Sequence, residues 1–338
     1  MSAPEPVNSP SDSLGAVNKA SFITVTVDGG AGQRIDNYLV KTLKNVPKSK
    51  IYSILRRGEV RVNKGRIKPS YKLQAEDIVR VPPLTNTQRE AGASVRPITS
   101  KQIDSFNLDA AVVYEDDNLL IINKPSGLAV HGGSGLSFGL IEMLRAMRPE
   151  QHLELIHRID RDTSGCVMLA KSQKMLRAMH ELFRTSQIKK IYHALVKGYA
   201  APSFIINEPL KKFVLSSGER LVRVHPEGQE SVTEFTVLAR YNGVTLLQAS
   251  PITGRTHQIR VHAAHRGLPI VGDDKYGDKL HDQMLRKLGL KRLFLHAREL
   301  KFVCPLTGKQ ISVVAKYDQD WNNGLTILDK GSDNDYRK

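Results

Sequence analysis

The chain has 338 residues, enough for two domains, and a 40% hydrophobic composition suffices for a core. No apolar run approaches the roughly 20 residues of a membrane-spanning helix, which excludes that class. The formal net charge of +16 points to a polyanionic partner. Nucleic acid ranks ahead of a membrane surface, because no long basic amphipathic helix with an aromatic face is present.

Residues 1–20 are rich in Ser, Pro and Asn and are expected to form a disordered tail. They hold no apolar signal-peptide core, so a cytoplasmic location is expected. The two cysteines, Cys166 and Cys304, form no CxxC and stand among apolar residues, as buried free thiols do. Phe22–Val27 alternates like a strand and stops at Asp28-Gly29-Gly30. Arg34–Leu39 opens a helix. Ser49 is a candidate N-cap for a second helix carrying Ile51, Ile54 and Leu55, which Gly58 ends. Val60–Asn63 and Ile78–Val81 read as strands. Between Lys41 and Lys72 there are eleven Lys/Arg and one acid, Glu59. Acids that are absent rather than interspersed suit phosphate contact better than a merely solvated surface.

Residues 83–110 are polar and read as a linker. Val112–Glu115 and Leu119–Asn123, separated by Asp116-Asp117-Asn118, read as a hairpin that Lys124-Pro125-Ser126-Gly127 ends. His131-Gly132-Gly133-Ser134-Gly135 is a glycine-rich loop, and Ser137 is a candidate cap for a helix through Ile141, Leu144 and Met147. Lys174–Ser186 has helical spacing. Strands are expected at Ile188–Lys197, Leu221–His225, Ser231–Ala239, Val244–Ala249, Leu293–Leu295 and Ile311–Val314. Pro251–His262 runs into a helix that Gly267 ends. From Asn322 the chain is expected to thin to a polar tail. Many strands, short loops and few βαβ alternations favour a largely antiparallel α+β catalytic domain.

The densest charge lies in His157-Arg158-Ile159-Asp160-Arg161-Asp162-Thr163-Ser164-Gly165, a loop feeding the apolar run Cys166–Ala170. A buried charge needs a partner, so two carboxylates alternating with two arginines there indicate an aspartate held ionised by cations. The glycine-rich loop is not a phosphate loop, since no GK[ST] follows it, and the chain has no G-x-S-x-G elbow. His257 and His262 do not make an HExxH, and His157 with Asp160 is too little for a metal site. A carboxylate without metal or cofactor can act as a nucleophile on a sugar carbon or an electron-poor ring. Arg255 and Arg260 are the candidate counter-ions. Tyr192, on a strand, could stack on a base.

These segments resemble a known family. His157–Gly165 is similar to the HRLDxxTSG signature of the RluA-type pseudouridine synthases. Lys190-Ile191-Tyr192-His193-Ala194 and Gly254–His262 are similar to their second and third motifs. Arg34–Asp36, Ser49-Lys50, Arg56–Asn63 and Ile78–Val81 resemble the S4 (α-L) RNA-binding domain. Val46–Tyr52, Gly58–Lys64, Val130–Gly139 and Arg292–Ala297 further resemble the branch acting on large-subunit ribosomal RNA. Ile159 and Cys166 replace the usual Leu and Val and keep an apolar residue.

The resemblance implies an α+β core with a long mixed, mostly antiparallel sheet and a central cleft, spanning residues 111–321, after an S4 domain at 21–82. The tail at 322–338 would lie outside it. It implies isomerisation of uridine to pseudouridine in 23S ribosomal RNA, as precursor or free large-subunit RNA, by a monomer. No cofactor, metal or membrane is expected. It assigns Asp160 as nucleophile, with attack at uracil C6 or at ribose C1′ both open. Tyr192 is the tyrosine under the base, and Arg260 is preferred over Arg255 as the partner of Asp160. Arg158 would fill the gap left by a flipped-out uridine. Arg255 and His257 are expected to contact RNA, as are Lys50, Arg56, Arg57, Arg61 and Lys68 of the S4 domain.

Overall fold

Ile35, Leu39, Ile51, Ile54 and Leu55 recur at helical spacing on two helices, and all are buried in one small core. The structure is a computed structural model and describes residues 23–26, 31–43, 46, 48–82, 106–132, 138–214 and 220–335. Residues 1–20, 83–105 and 133–137, with the expected tail, most of the linker and Ser137, lie outside the described residues. The chain divides into two compact units, residues 1–92 and 93–338.

In the first unit, α1 (Ile35–Thr42) and α2 (Lys48–Arg57) contact one another beside a four-stranded sheet. Its strands are β1 (Ile23–Thr26), β2 (Arg61–Val62), β3 (Gly65–Arg66) and β4 (Ile78–Val81), in the order β1-β4-β2-β3. Ser49 is the second residue of α2, not its cap. Asn63 and Lys64 both have positive φ (49° and 67°), as the tight turn of a β2–β3 hairpin requires. Arg61 lies opposite Arg66 on one side and Arg80 on the other. Like charges directly opposite repel, so this face favours a polyanion over bare solvent.

The second unit begins with α3 (Leu108–Ala111), capped by Asn107, whose Oδ1 accepts from Ala110 N at 3.0 Å. Leu108 is buried, so the end of the expected linker belongs to the folded unit. The hairpin is β5 (Val112–Glu115) and β6 (Leu119–Lys124). There follow α4 (Leu140–Met147), β7 (Glu154–Leu155), β8 (Ser164–Ala170), α5 (Gln173–Arg184) and β9 (Lys189–Lys197). The N-cap of α4 is Gly139; Glu142 reaches back to accept from Gly139 N at 2.8 Å. Next come β10 (Ser203–Asn207), β11 (Leu210–Val214), β12 (Arg220–Val224), β13 (Val232–Tyr241) and β14 (Val244–Pro251). The chain ends with α6 (Gln258–His265), α7 (Lys279–Leu288), β15 (Leu295–Val303), β16 (Gln310–Val314) and α8 (Gln319–Asp335).

Among the described residues, the main sheet has the path β10-β13-β14-β9-β15-β8-β6-β5, with β16 on β15 and β7 on β8. All pairs are antiparallel except β8 with β15. All seven residues of β8 are buried, as a strand covered on both faces requires. This is the expected α+β class with a mixed, mostly antiparallel sheet. The expected polar tail is corrected: residues 319–335 are helical. Trp321 and Leu328 of α8 are buried, and Leu325 packs with them against Phe294 and Leu290. Three apolar residues at helical spacing bury one stripe of an otherwise polar helix.

Candidate active site

Three segments meet at one end of four neighbouring strands. Ala297 of β15 is paired with Tyr192 of β9 on one side and with Gly165 of β8 on the other. Ala249 of β14 is the other neighbour of Tyr192. Alanines on both flanks leave the ring room on its face. Gly165 has φ +106°, and a Cβ there would overlap the Ala297 carbonyl. Only glycine lets β8 run this close to β15 directly after the loop that carries Asp160.

That loop is held from below. Ile159 is buried in the core between Arg158 and Asp160, so its neighbours face outward. Lys124 is fully buried, and its Nζ donates to the carbonyls of Pro125, Leu128 and Arg161 at 2.7, 2.7 and 2.8 Å. Burial lowers its pKa to about 7 against the pull of the Asp162 carboxylate. Ser126 Oγ donates to Asp162 O at 2.7 Å, and Gly127 N to Arg161 O at 3.0 Å. The turn expected merely to end a hairpin therefore cradles the Asp160 loop. Further along, Arg292 donates to Ser164 Oγ at 2.7 Å, and Ser164 Oγ lies 2.8 Å from His296 Nδ1. His296 Nε2 faces the Ala315 carbonyl at 3.2 Å, so Nε2 carries the proton and Nδ1 accepts.

Arg260 Nη1 donates to Asp160 Oδ2 at 2.8 Å. The guanidinium is fixed from behind by Asp273, which accepts from Nε and Nη2 at 2.7 Å each. The Asp273 side chain is wholly buried, Arg260 is 9% exposed and Asp160 26%. The Arg260 pKa is raised, its burial outweighed by the hydrogen bonds and charges of Asp273 and Asp160. Asp273 is held below the usual carboxylate range, because Arg260 outweighs its own desolvation. Arg255 turns away: its Nε donates to Glu230 O at 3.1 Å, and its backbone N donates to Gln258 Oε1 at 2.9 Å. Of the two arginines, Arg260 is the partner of Asp160.

His257 Nε2 approaches Asp160 Oδ1 at 3.7 Å, while its Nδ1 is 2.8 Å from the Tyr276 hydroxyl. Desolvation lowers the His257 pKa. Gln258 and His262 are structural: Gln258 Nε2 donates to Val232 O and Thr233 Oγ1, and His262 bonds Thr233 and the Glu208 carbonyl. Burial, and then the Asp160 charge, push the Tyr192 hydroxyl above its ordinary range, so it stays protonated. Arg161 pairs with Asp162 at 2.9 and 3.1 Å within the loop. Arg158 is exposed and, among the described residues, pairs with no carboxylate.

A cleft of about 270 Å³ opens over this group, lined by Arg158, Asp160, Tyr192, Arg255, His257 and Arg260. A second hollow shares Arg158, Asp160, His257 and Arg260 with this cleft and is bordered by Arg161, Lys275, Arg286 and Lys291. In the first unit, Lys50, Arg56, Arg57 and Lys68 are exposed and Arg61 half-buried; Arg57 pairs with Glu59 at 2.9 Å. Among the described residues, no cluster of three or more His, Cys, Asp or Glu is arranged to hold a metal, and no helix is long and apolar enough to cross a membrane.

Residues 118–265 match the family described as RNA pseudouridylate synthase, and residues 33–79 match the S4 domain. The chain is 52% identical over 314 residues to the ribosomal large subunit pseudouridine synthase C of Pasteurella multocida, covering 92% of this chain and 95% of that one. It is 53% identical over 311 residues to the Escherichia coli protein of the same name, covering 91% and 96%. The chain belongs to the RNA pseudouridylate synthase family. Its fold is also that of human RNA pseudouridylate synthase domain containing 4, with a TM-score of 0.56 and 29% identity over 67% of this chain and 95% of that one.

The synthase thus carries around Asp160 several residues to which motif reading gave no role at the site. Lys124, Asp273, Tyr276, Arg292 and His296 all act at a distance in the chain. The segment Gly272-Asp273-Asp274-Lys275-Tyr276-Gly277 held a usable signal, an acid and a tyrosine bracketed by turn-forming glycines.

Proposed function

We propose that the synthase converts uridines of 23S ribosomal RNA to pseudouridine, with Asp160 as nucleophile on a flipped-out uridine. The observation that carries this reading is the Asp160 carboxylate at the cleft, gripped by Arg260 and facing a cavity that Tyr192 lines. The names of the two relatives supply the substrate class. A guanidinium on one oxygen pairs with the carboxylate and aims it. The N1–C1′ bond breaks, the base turns, C5 bonds to C1′, and the proton lost from C5 is balanced by the one gained at N1. Attack at C6 and attack at C1′ both begin from this carboxylate.

Flipping is needed because a stacked base shields C6 and C1′. Arg158, exposed and without a carboxylate partner among the described residues, takes the space left in the stack. Tyr192 stays neutral under the base and offers a hydroxyl proton, not a phenolate. Arg255 and His257 bind the RNA around the cleft, and the basic S4 face positions it. The test is tritium release from C5-labelled uridine in 23S RNA lacking its pseudouridines. Wild type is expected to release tritium and Asp160→Asn to release none. Equal release by both, or release from other RNAs alone, overturns the reading.

A further inference from the structure

We propose that Asp273 and Tyr276, on one tight turn, are positioning residues for Asp160, Asp273 acting through Arg260 and Tyr276 through His257. The inference rests on Asp160 being the nucleophile. An aspartate carboxylate rotates in a broad torsional well, so fixing an attacking lone pair takes a contact at each oxygen. Asp160 has such an arrangement: Arg260 lies on Oδ2 at 2.8 Å and His257 beside Oδ1 at 3.7 Å. The second distance exceeds a hydrogen bond, and contacts of this kind tighten when substrate excludes water.

Each arm is anchored on the same turn. Asp273 holds Nε and Nη2 of Arg260, leaving Nη1 for Asp160. The same carboxylate accepts from the backbone of Lys275 and Tyr276 at 3.0 and 3.1 Å, which folds the turn. Gly272, at φ +75°, enters it where a Cβ would overlap the Arg292 carbonyl. The turn is thereby tied to the segment that also anchors Ser164 through Arg292.

Tyr276 aims the second arm. Its hydroxyl oxygen accepts from Val222 N at 3.0 Å. Its own proton is then free to go to His257 Nδ1, 2.8 Å away, which leaves the imidazole proton on Nε2, facing Asp160. His257 is a non-glycine residue in the left-handed region (φ 55°, ψ 18°) just before α6. Strain of this kind persists where surrounding contacts over-determine it, and it gathers at functional sites. The Tyr276 ring also lies 5.2 Å beneath the Arg260 guanidinium, so one side chain touches both arms.

The experiment is a double-mutant cycle in the full-length enzyme, reading single-turnover tritium release and RNA dissociation constants separately. Tyr276→Phe deletes one oxygen. It is expected to slow the single-turnover rate by about tenfold while RNA affinity stays within about twofold. In a His257→Ala background it is expected to cost nothing further, because its effect runs through that ring. Asp273→Asn is expected to slow the rate about a hundredfold, and to add no loss to Arg260→Met. If Asp273→Asn does not fold, the Tyr276–His257 cycle decides alone. Losses that multiply, a loss confined to RNA affinity, or no loss overturns the inference. A merely structural Tyr276 would lower the melting temperature and multiply with His257→Ala. Wild-type activity and its abolition in Asp160→Asn are read in the same assay, so failure of the nucleophile assignment shows separately.

Discussion

Arg260 reaches Asp160 across 100 positions of sequence, and it does so as the middle member of a buried chain that ends at Asp273. A buried guanidinium between two carboxylates offsets the desolvation of all three groups only while both ends are intact. Arg260→Met is therefore expected to slow tritium release at least about a hundredfold and to lower unfolding stability by about 3 kcal/mol, because Asp273 is left charged and unpaired. Adding Asp273→Leu should restore much of that stability and none of the activity. Urea unfolding beside the activity assay separates the two effects; recovery of activity in the double variant would contradict the role of Arg260.

Lys124 illustrates how a loop is held without touching chemistry. Its three N–H bonds match three carbonyls, one of them Arg161 O in the Asp160 loop. Lys124→Met fills the volume but takes their lysine donor from the Pro125 and Leu128 carbonyls, while Arg161 O keeps Gly127 N. Each unsatisfied group costs about 1–3 kcal/mol, offset in part by relief of the desolvated amine, so a net loss of about 2–3 kcal/mol is expected. Hydrogen exchange should show the Gly127 amide, which donates to Arg161 O, losing protection before the main sheet does. Unchanged protection would mean that the loop is held by other contacts.

The reach of sequence reasoning follows from the range of each interaction. The α+β class and most strands were legible because alternation and turn residues are local signals. The pairing of Asp160 with Arg260 was expected through motif resemblance; nothing in the spacing of the residues distinguished Arg260 from Arg255. Lys124 was missed because its key acceptor is a backbone carbonyl 37 positions away, and carbonyls leave no mark in a sequence. Asp273 and Tyr276 were missed because their partners, Arg260 on α6 and His257 just before it, are reached only after folding. The edge strand β10 was missed because Ile205 is exposed and blurs the alternation. The helix α8 was taken for tail because Trp321, Leu325 and Leu328 are sparse among polar residues.

Three histidines set the acid limb of stability. Burial pushes His157, His193 and His296 down to about 4. His157 Nε2 accepts from Met168 N at 3.0 Å, and His296 Nδ1 accepts from Ser164, so protonation removes an acceptor as well as charging a buried ring. Between pH 6.5 and about 4 the unfolded chain binds more protons than the folded one, so stability falls as pH falls through this window. The full shift of His296 corresponds to about 3 kcal/mol. Unfolding free energies measured from pH 7 to 4 should drop steeply, and His296→Asn, which retains an acceptor for Ser164, should flatten the drop. An unchanged slope in that variant would assign the acid limb to other groups.

The basic face of the first unit should act on affinity and leave the chemical step alone. Lys50, Arg56, Arg57 and Lys68 are exposed, and only Arg57 among these four has a carboxylate partner among the described residues, Glu59. Substituting Arg56, Arg57 and Lys68 by Gln removes three charges that would otherwise displace counterions from RNA. For contacts to single-stranded segments, each phosphate contributes about 0.7 to the slope of log affinity against log salt, so the slope should shrink by about 2. Binding should weaken by a similar factor on different RNA sequences, since phosphate contacts carry no base information. Single-turnover tritium release at saturating enzyme should stay at the wild-type rate, because Asp160, Tyr192 and Arg260 are untouched. A reduced rate at saturation would mean that these cations help to bring the uridine into the cleft, and the division between positioning and chemistry would have to be redrawn.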